Sequence, residues 1–150
     1  MRTTGRITSR HSGAAVLSQN LQQNYQCCLS VAQVQTLKSE GNEIGSHTIT
    51  HPDLTTLSSA DLARELHDSK AYLESTFGVP VPTFASPYGS SNAAVMAAIR
   101  AEYRVHRTVS PGLIDPDSYI DQVPSYDIHT GVSVASVKAI VDVALDSSIR

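Results

Sequence analysis

Helical and strand-like patterns alternate along this chain of 150 residues from Ser30 onward, and this order limits the folds that it can adopt. The clearest element is a helix that begins at Ser58 or Ser59 and ends at Gly78. Its apolar face consists of Leu62, Leu66, Leu73 and Phe77. The full order is helix, strand, helix, strand, helix, strand, strand, helix. Because such alternation places helical crossovers between parallel strands, the sequence predicts an α/β fold.

The other elements follow from shorter patterns. Ser30 and Gln33 predict a capping box for the first helix, which Gly41 ends, and Asn92 begins a third helix. Strand patterns occupy residues 43–46, 83–85, 103–109 and 119–124. A last helix covers residues 133–146, and its predicted buried stripe is Val134, Val137, Val141 and Leu145. Residues 1–28 show no clear period and predict a loop or tail.

Composition excludes several classes of protein. Apolar residues make up 41% and charged residues 17% of the chain, which is typical of a folded domain. The net charge of -3 and the lack of a basic cluster exclude a nucleic-acid footprint. No apolar run is long enough to span a membrane. Arg2, Arg6 and Arg10 precede no apolar core, so we expect no secretory signal, and the compartment stays open.

The segment from Ser46 to Pro52 carries the strongest chemical signal. His47 and His51 lie four residues apart directly after a predicted strand. Neutral imidazole is the commonest protein metal ligand, so the pair is a candidate metal site that needs at least one more ligand. Because Pro52 disfavours helical geometry at His51, we expect a turn here. The alternative is that both histidines are ordinary polar residues bonded to backbone near a strand end.

A second unusual loop, residues 86–89, follows the next predicted strand. It contains Pro87 and Tyr88, and it is either a plain turn or a turn in which Pro87 presents the Tyr88 N–H to an oxyanion. Loops at the carboxyl ends of parallel strands lie on one side of a sheet. We therefore expect this loop and the two histidines to lie close together.

Other candidates give weaker signals. They are His67, His106 and His129, the aspartates Asp115, Asp117 and Asp121, and the cysteines Cys27 and Cys28. We expect His67 to face solvent, and His106, flanked by Arg104 and Arg107, is a poor place for a metal cation. The aspartates could bind Ca²⁺, but a solvated acidic loop is favoured. Adjacent cysteines rarely bridge each other, which favours packing residues or free thiols.

Two segments resemble the motifs of a known family. Residues 41–54 resemble the metal-binding motif of the polysaccharide deacetylases, the NodB-homology enzymes of carbohydrate esterase family 4. Residues 84–89 resemble the family's next motif, at the right distance downstream. Between them the chain also follows the family's pattern at Glu65, Leu66, Ser69, Lys70, Leu73, Glu74 and Gly78. The resemblance covers about residues 30–148.

The resemblance implies a distorted (β/α) barrel with parallel strands and a metal-dependent hydrolase. Family members bind a divalent metal, most often Zn²⁺, through one Asp and two His, which correspond to His47 and His51 here. The metal activates water for attack on the acetyl group of an acetylated polysaccharide, either an N-acetyl amino sugar polymer or an acetylated xylan. The backbone N–H of Tyr88 corresponds to the oxyanion contact, and Pro87 and Tyr88 correspond to substrate-binding residues.

Departures from the family pattern are equally informative. No Asp precedes Asp53, so the family's paired aspartates, the base and the third metal ligand, are absent from this chain. The strand with the general-acid His would follow the last helix, where the sequence ends. Ala85 stands where many members carry Arg. A full barrel takes ~200–250 residues. The sequence therefore predicts a partial barrel that lacks its first and last strands.

The resulting division is an irregular segment, residues 1–28, and a partial deacetylase domain, residues 29–150. Without the base and the third ligand, we expect weak deacetylase activity. An alternative function is a non-catalytic carbohydrate-binding or interaction remnant of the same fold. A further alternative is a truncated product that does not fold stably. The substrate polymer, the bond cleaved (amide or ester) and the oligomeric state stay open.

Overall fold

The computed structural model describes residues 14–16, 29–112, 120–126 and 131–145. The strands are β1 (Ala14–Val16), β2 (Ile44–Ser46), β3 (Thr83–Ala85) and β4 (Val105–Arg107). The α-helices are α1 (Val31–Ser39), α2 (Ser59–Phe77), α3 (Ala93–Glu102) and α4 (Val134–Leu145). Short 3-10 turns occupy Leu54–Thr56, Pro87–Gly89 and Ile120–Gln122. The predictions for Cys27, Cys28, Asp115, Asp117 and His129 lie outside the described residues, as does the side chain of Asp121.

The strands form one parallel sheet in the order β1-β2-β3-β4. Each strand pairs in parallel with the next, and the helices α2 and α3 form the crossovers after β2 and β3. The predicted α/β arrangement is confirmed. The order also brings the loops after β2 and β3 to one edge of the sheet, as parallel strands require.

The sheet begins earlier than the sequence indicated. β1 lies within the segment for which we predicted a loop or tail, so that prediction is wrong for Ala14–Val16. These residues pair in register with Ile44–Ser46. A three-residue strand is too short to show a period of its own, and its conformation depends on hydrogen bonds to β2.

The predicted strand at residues 119–124 is also largely wrong. The chain forms a 3-10 turn at Ile120–Gln122, and among the described residues 120–124 only Val123 pairs, through a single parallel bridge to Arg107. The Val123 N–H donates to the His106 carbonyl at 2.8 Å. Pro124 follows and has no N–H, so it cannot continue the hydrogen-bond ladder.

Helix ends follow the predicted signals closely. Ser30 and Gln33 form the capping box of α1, and Gly41 has a positive φ of 88° just after its end. Ser58 caps α2, accepting from the Asp61 N–H, and Gly78 ends it in the left-handed conformation. One core packs between α2, α3 and the sheet: Val34, Ile44, Leu54, Leu62, Leu66, Leu73, Phe77, Val81, Phe84, Val95, Met96, Ile99 and Tyr103.

The last helix forms, but the described part of its predicted stripe is not buried. Val134 is 86% exposed and Val141 is 48% exposed, and none of the α4 side chains that the structure describes belongs to the core. Helical periodicity shows which residues share a face but not whether another element covers it, which explains the error. Among the described residues, no helix is long and apolar enough to cross a membrane.

Candidate metal and substrate site

The two-histidine loop leaves the carboxyl end of β2 in an uncommon conformation. Thr48 has φ 70° and His51 has φ 62°, a region that residues other than glycine rarely adopt. The turn that Pro52 predicted at His51 is therefore observed. The His51 N–H donates to the Thr48 hydroxyl at 3.0 Å, and this bond stabilises the turn. Such strained residues persist only where the surroundings fix them, and they cluster at functional sites.

Glu65 on α2 holds this loop in place through hydrogen bonds. Its carboxylate accepts from the Ile49 N–H at 2.7 Å, the Thr50 N–H at 3.0 Å and the Thr50 hydroxyl at 2.7 Å. The residue is only 7% exposed. One turn further along, the Ser69 hydroxyl donates to the Thr48 carbonyl at 3.0 Å. Polar groups of α2 thus stabilise the backbone between the two histidines.

His47 is oriented for binding a ligand through one ring nitrogen. Its Nδ1 lies 2.7 Å from the carbonyl oxygen of Ala85, at the end of β3. A carbonyl only accepts, so Nδ1 carries the proton and Nε2 keeps its lone pair. Burial lowers the pKa of His47, the bond to Ala85 opposes this, and the positive charges of His51 and Arg107 lower it further. This arrangement favours the neutral imidazole that metal binding requires.

Three rings meet above the ends of β2 and β3. The ring centroids of His47 and His51 are 4.8 Å apart, and those of His51 and Tyr88 are 4.7 Å apart, both edge to face. The structure thus brings the two histidines and Tyr88 together. Their roles as metal ligands and substrate contact stay predictions.

The turn at Tyr88 presents a backbone donor. Tyr88 has φ 56° and a side chain that is 68% exposed. The N–H groups of Gly89 and Ser90 donate to Ser86 and Pro87 within the turn. In the described part of the chain, the Tyr88 N–H donates to no acceptor. An N–H placed in this way can stabilise a developing oxyanion.

The donor set agrees with a metal held partly by imidazole. His47 and His51 supply nitrogen ligands of the type that Zn²⁺ prefers. Among the residues that the structure describes, no three His, Cys, Asp or Glu side chains form a group that could hold a metal. His47 and His51 would fill two positions of a metal site, and a complete site needs at least one more ligand.

The remaining histidines differ from each other. His67 is exposed as predicted, with Nδ1 at 3.4 Å from a carboxylate oxygen of Glu102. His106 is 1% exposed, and its Nε2 lies 2.8 Å from the Ser86 hydroxyl. It therefore supports the strand end that leads into the turn at Tyr88. No pattern within β4 indicated this contact, because it depends on the pairing of β3 with β4.

Sequence reasoning also missed Glu65 and Arg107 as residues near the site. A signal for Glu65 existed, because it shares the apolar face of α2 with Leu62 and Leu66, and a buried carboxylate needs donors. Arg107 gave no such signal, since only strand register places it beside Ala85.

We expect Glu65→Ala to destabilise the fold by about 1–3 kcal/mol more than Glu65→Gln. Alanine leaves the donors of Ile49 and Thr50 without an acceptor, whereas the glutamine side-chain oxygen still accepts. Urea unfolding of both variants measures the difference. Equal stability of the two variants would show that the carboxylate is not what holds the loop.

Gly89→Ala tests the packing behind the Tyr88 turn. A Cβ at Gly89 would lie 2.2 Å from Val109 Cγ2, and φ is 69°, so the substitution adds a clash to backbone strain. Gly78 is the matched control, because its φ is 64° and nothing lies within 4 Å of a Cβ there. Gly78→Ala should cost about 1–2 kcal/mol, and Gly89→Ala about 1–3 kcal/mol more. Thermal unfolding compares them, and equal losses would contradict the close contact with Val109.

A parallel α/β sheet with two histidines and a turn N–H at the carboxyl ends of neighbouring strands defines a candidate metal-hydrolase site. The chain belongs to the polysaccharide deacetylase family, whose sequence model matches residues 9–106. The match begins before the predicted domain boundary at residue 29. It ends before residue 148, the end of the resemblance seen in the sequence.

The chain is also similar to parts of two larger proteins. The chain is 42% identical over 88 residues to gellan lyase of Bacillus sp., covering 58% of this chain and 3% of that protein. It is 38% identical over 64 residues to chitin deacetylase 1 of Cryptococcus neoformans var. grubii, covering 43% of this chain and 14% of the relative. The chain thus spans a small part of these relatives.

A solved structure shows the fold. The Streptococcus pyogenes deacetylase PplD in complex with acetate superposes with a TM-score of 0.78 at 23% identity, covering 85% of this chain and 57% of that one. The predicted partial (β/α) barrel is confirmed. Which barrel strands it lacks stays a prediction.

Proposed function

We propose that this chain forms part of the active site of a metal-dependent polysaccharide deacetylase. The contact that carries the proposal is the one between His47 Nδ1 and the Ala85 carbonyl, which turns one imidazole toward a second 4.8 Å away. Both histidines come from the loop that resembles the family's metal-binding motif. The family match over residues 9–106 supports the same assignment.

Each residue of the site has a distinct part in this proposal. His47 and His51 would hold a divalent metal, and their nitrogen donors suit Zn²⁺, which when bound polarises a carbonyl and lowers the pKa of water. Ala85 fixes the tautomer of His47 through its carbonyl oxygen. The Tyr88 N–H stabilises negative charge that develops on the acetyl oxygen. The exposed Tyr88 ring contacts the sugar beside the acetyl group. The side chain of Pro87 is buried, so its part is to shape the turn that presents Tyr88 rather than to contact the sugar.

The proposed reaction is hydrolysis of an acetyl group on a polysaccharide, either an N-acetyl amino sugar polymer or acetylated xylan. No Asp precedes Asp53 to supply the base and the third ligand that the resemblance implies, so we propose weak activity for this chain. Acetate release from chitin oligomers and acetylated xylan, with and without added zinc, measures it. Strong zinc-dependent turnover by the purified chain would contradict this part of the proposal.

A second candidate function is a carbohydrate-binding remnant without catalysis. The exposed Tyr88 ring supports it, because such a ring can pack on a sugar without any metal. Calorimetry with chitin oligomers distinguishes the two functions. Glycan binding that is unchanged by a chelator favours the remnant, whereas glycan binding that needs zinc favours the deacetylase site.

Zinc binding is expected to weaken as the pH falls below about 6. Protons compete with the metal for the imidazole nitrogens. Because burial lowers the pKa of His47, protons compete for this ring only at a pH below the ordinary pKa of histidine. Calorimetric titration with zinc at several pH values between 7.5 and 5 measures this. The His67→Gln variant, changed at an exposed histidine, should show the same profile. An affinity that is constant over this range would rule out imidazole ligands.

A further inference from the structure

A cleft of about 420 Å³ opens at the carboxyl end of β4. Its lining residues are Arg107, Val109, Ser125 and Tyr126, and we name it the Arg107 cleft. Neither the metal nor the acetyl chemistry proposed above uses these residues.

Strand register and packing place the cleft beside the histidine site. Arg107 pairs with Ala85, whose carbonyl oxygen contacts His47. Its positive charge is one of those that lower the pKa of His47. On the other side, Val109 lies against Gly89 of the Tyr88 turn so closely that no Cβ fits between them. A polymer bound with one unit at Tyr88 would therefore place a neighbouring unit in the Arg107 cleft.

The lining has the chemistry of a sugar subsite with a positive charge. Tyr126 is 41% exposed and Val109 is 56% exposed, which offers apolar surface to the C–H face of a sugar ring. The Arg107 Nη1 donates to the Ser125 hydroxyl at 3.2 Å, and that hydroxyl donates to the Thr108 carbonyl at 2.7 Å. These bonds orient the guanidinium at one edge, and Arg107 lines the cleft.

Arg107 carries an exposed positive charge at the cleft. Among the residues that the structure describes, no Asp or Glu side chain forms an ion pair with Arg107. A guanidinium is the side chain best suited to bind a planar carboxylate through two hydrogen bonds. A neutral sugar would offer this guanidinium only hydroxyl groups, whereas an acidic sugar offers a carboxylate.

We propose that the Arg107 cleft is a saccharide subsite that takes a sugar unit bearing a carboxylate, next to the acetylated unit at the histidines. The position of the acetylated unit rests on the proposed function. The substrate is then a polymer in which acetylated and acidic sugars are neighbours.

The test compares two tetrasaccharides by calorimetry at low salt with the whole chain. One is a hyaluronan tetrasaccharide, which alternates glucuronic acid with N-acetylglucosamine, and the other is chitotetraose, which has no carboxylate. We expect hyaluronan to bind at least about 10-fold more tightly, as a charge-assisted hydrogen bond allows. Arg107→Gln should abolish this preference, and Tyr126→Ala should weaken both glycans.

Arg104→Gln is the matched control, since it removes an exposed Arg at the other end of β4 and should leave the preference intact. Equal affinities in the unmodified chain, no binding of either glycan, or a preference that survives Arg107→Gln would each overturn the proposal. Repeating the titration with EDTA separates it from the metal site. If the chain prefers hyaluronan but does not bind zinc, the subsite is supported and the proposed function is not. If the chain binds zinc but does not prefer hyaluronan, the subsite is refuted and the proposed function still stands.

Discussion

Replacing His47 with alanine is expected to weaken zinc binding by at least about 10-fold. Loss of a residue that only hydrogen-bonds to a metal ligand already costs about that much, and loss of a ligand should cost no less. The substitution removes one of the two nitrogen ligands in the proposed site. It also removes the contact to the Ala85 carbonyl that holds the ring in place. Competition with a zinc-binding dye at pH 7.5 measures the affinity.

His67→Ala is the matched control for this prediction. His67 is exposed on α2 and lies against Glu102 rather than the histidine loop. Circular dichroism of both variants confirms that the comparison is between folded proteins. If His47→Ala and His67→Ala bind zinc equally well, His47 is not a ligand and the deacetylase site fails with it.

Much of the fold could be predicted from local signals. Ser58 and Gly78 bound α2 because a hydroxyl can cap the first turn and glycine can adopt a left-handed end. β1 and the exposed face of α4 could not be predicted in this way. The conformation of β1 depends on pairing with β2, and the exposure of the α4 face depends on which elements pack against it. Neither is a property of the local sequence.

The candidate site could likewise be predicted only in part from local sequence. The spacing of His47 and His51 and the position of Pro52 predicted a turn with two imidazoles on it. The sequence did not predict that His47 would contact Ala85, since Ala85 lies 38 positions further along the chain, beyond α2. Nor did it predict that Arg107 would neighbour Ala85 across the sheet. Contacts between distant segments follow from strand order and register, which the local patterns leave open.

A core substitution should reduce stability without changing the metal site. Leu73 is fully buried in α2 between the sheet and the other helices. Leu73→Ala should lower the free energy of unfolding by about 2–5 kcal/mol, since it removes apolar contacts and leaves a cavity. A domain of this size is stable by only about 5–15 kcal/mol, so the loss is a large share of the total.

The same variant separates the fold from the site. Leu73 lies one turn of α2 beyond Ser69, and none of the hydrogen bonds that shape the histidine loop involves its side chain. Zinc affinity of the folded Leu73→Ala protein should therefore equal that of the unmodified chain. Val134→Ala, at an 86% exposed position, is the control and should change stability by less than about 0.5 kcal/mol. Urea unfolding gives both values. A loss at Val134 as large as that at Leu73 would mean that α4 is packed in solution, and that the core extends further than this fold shows.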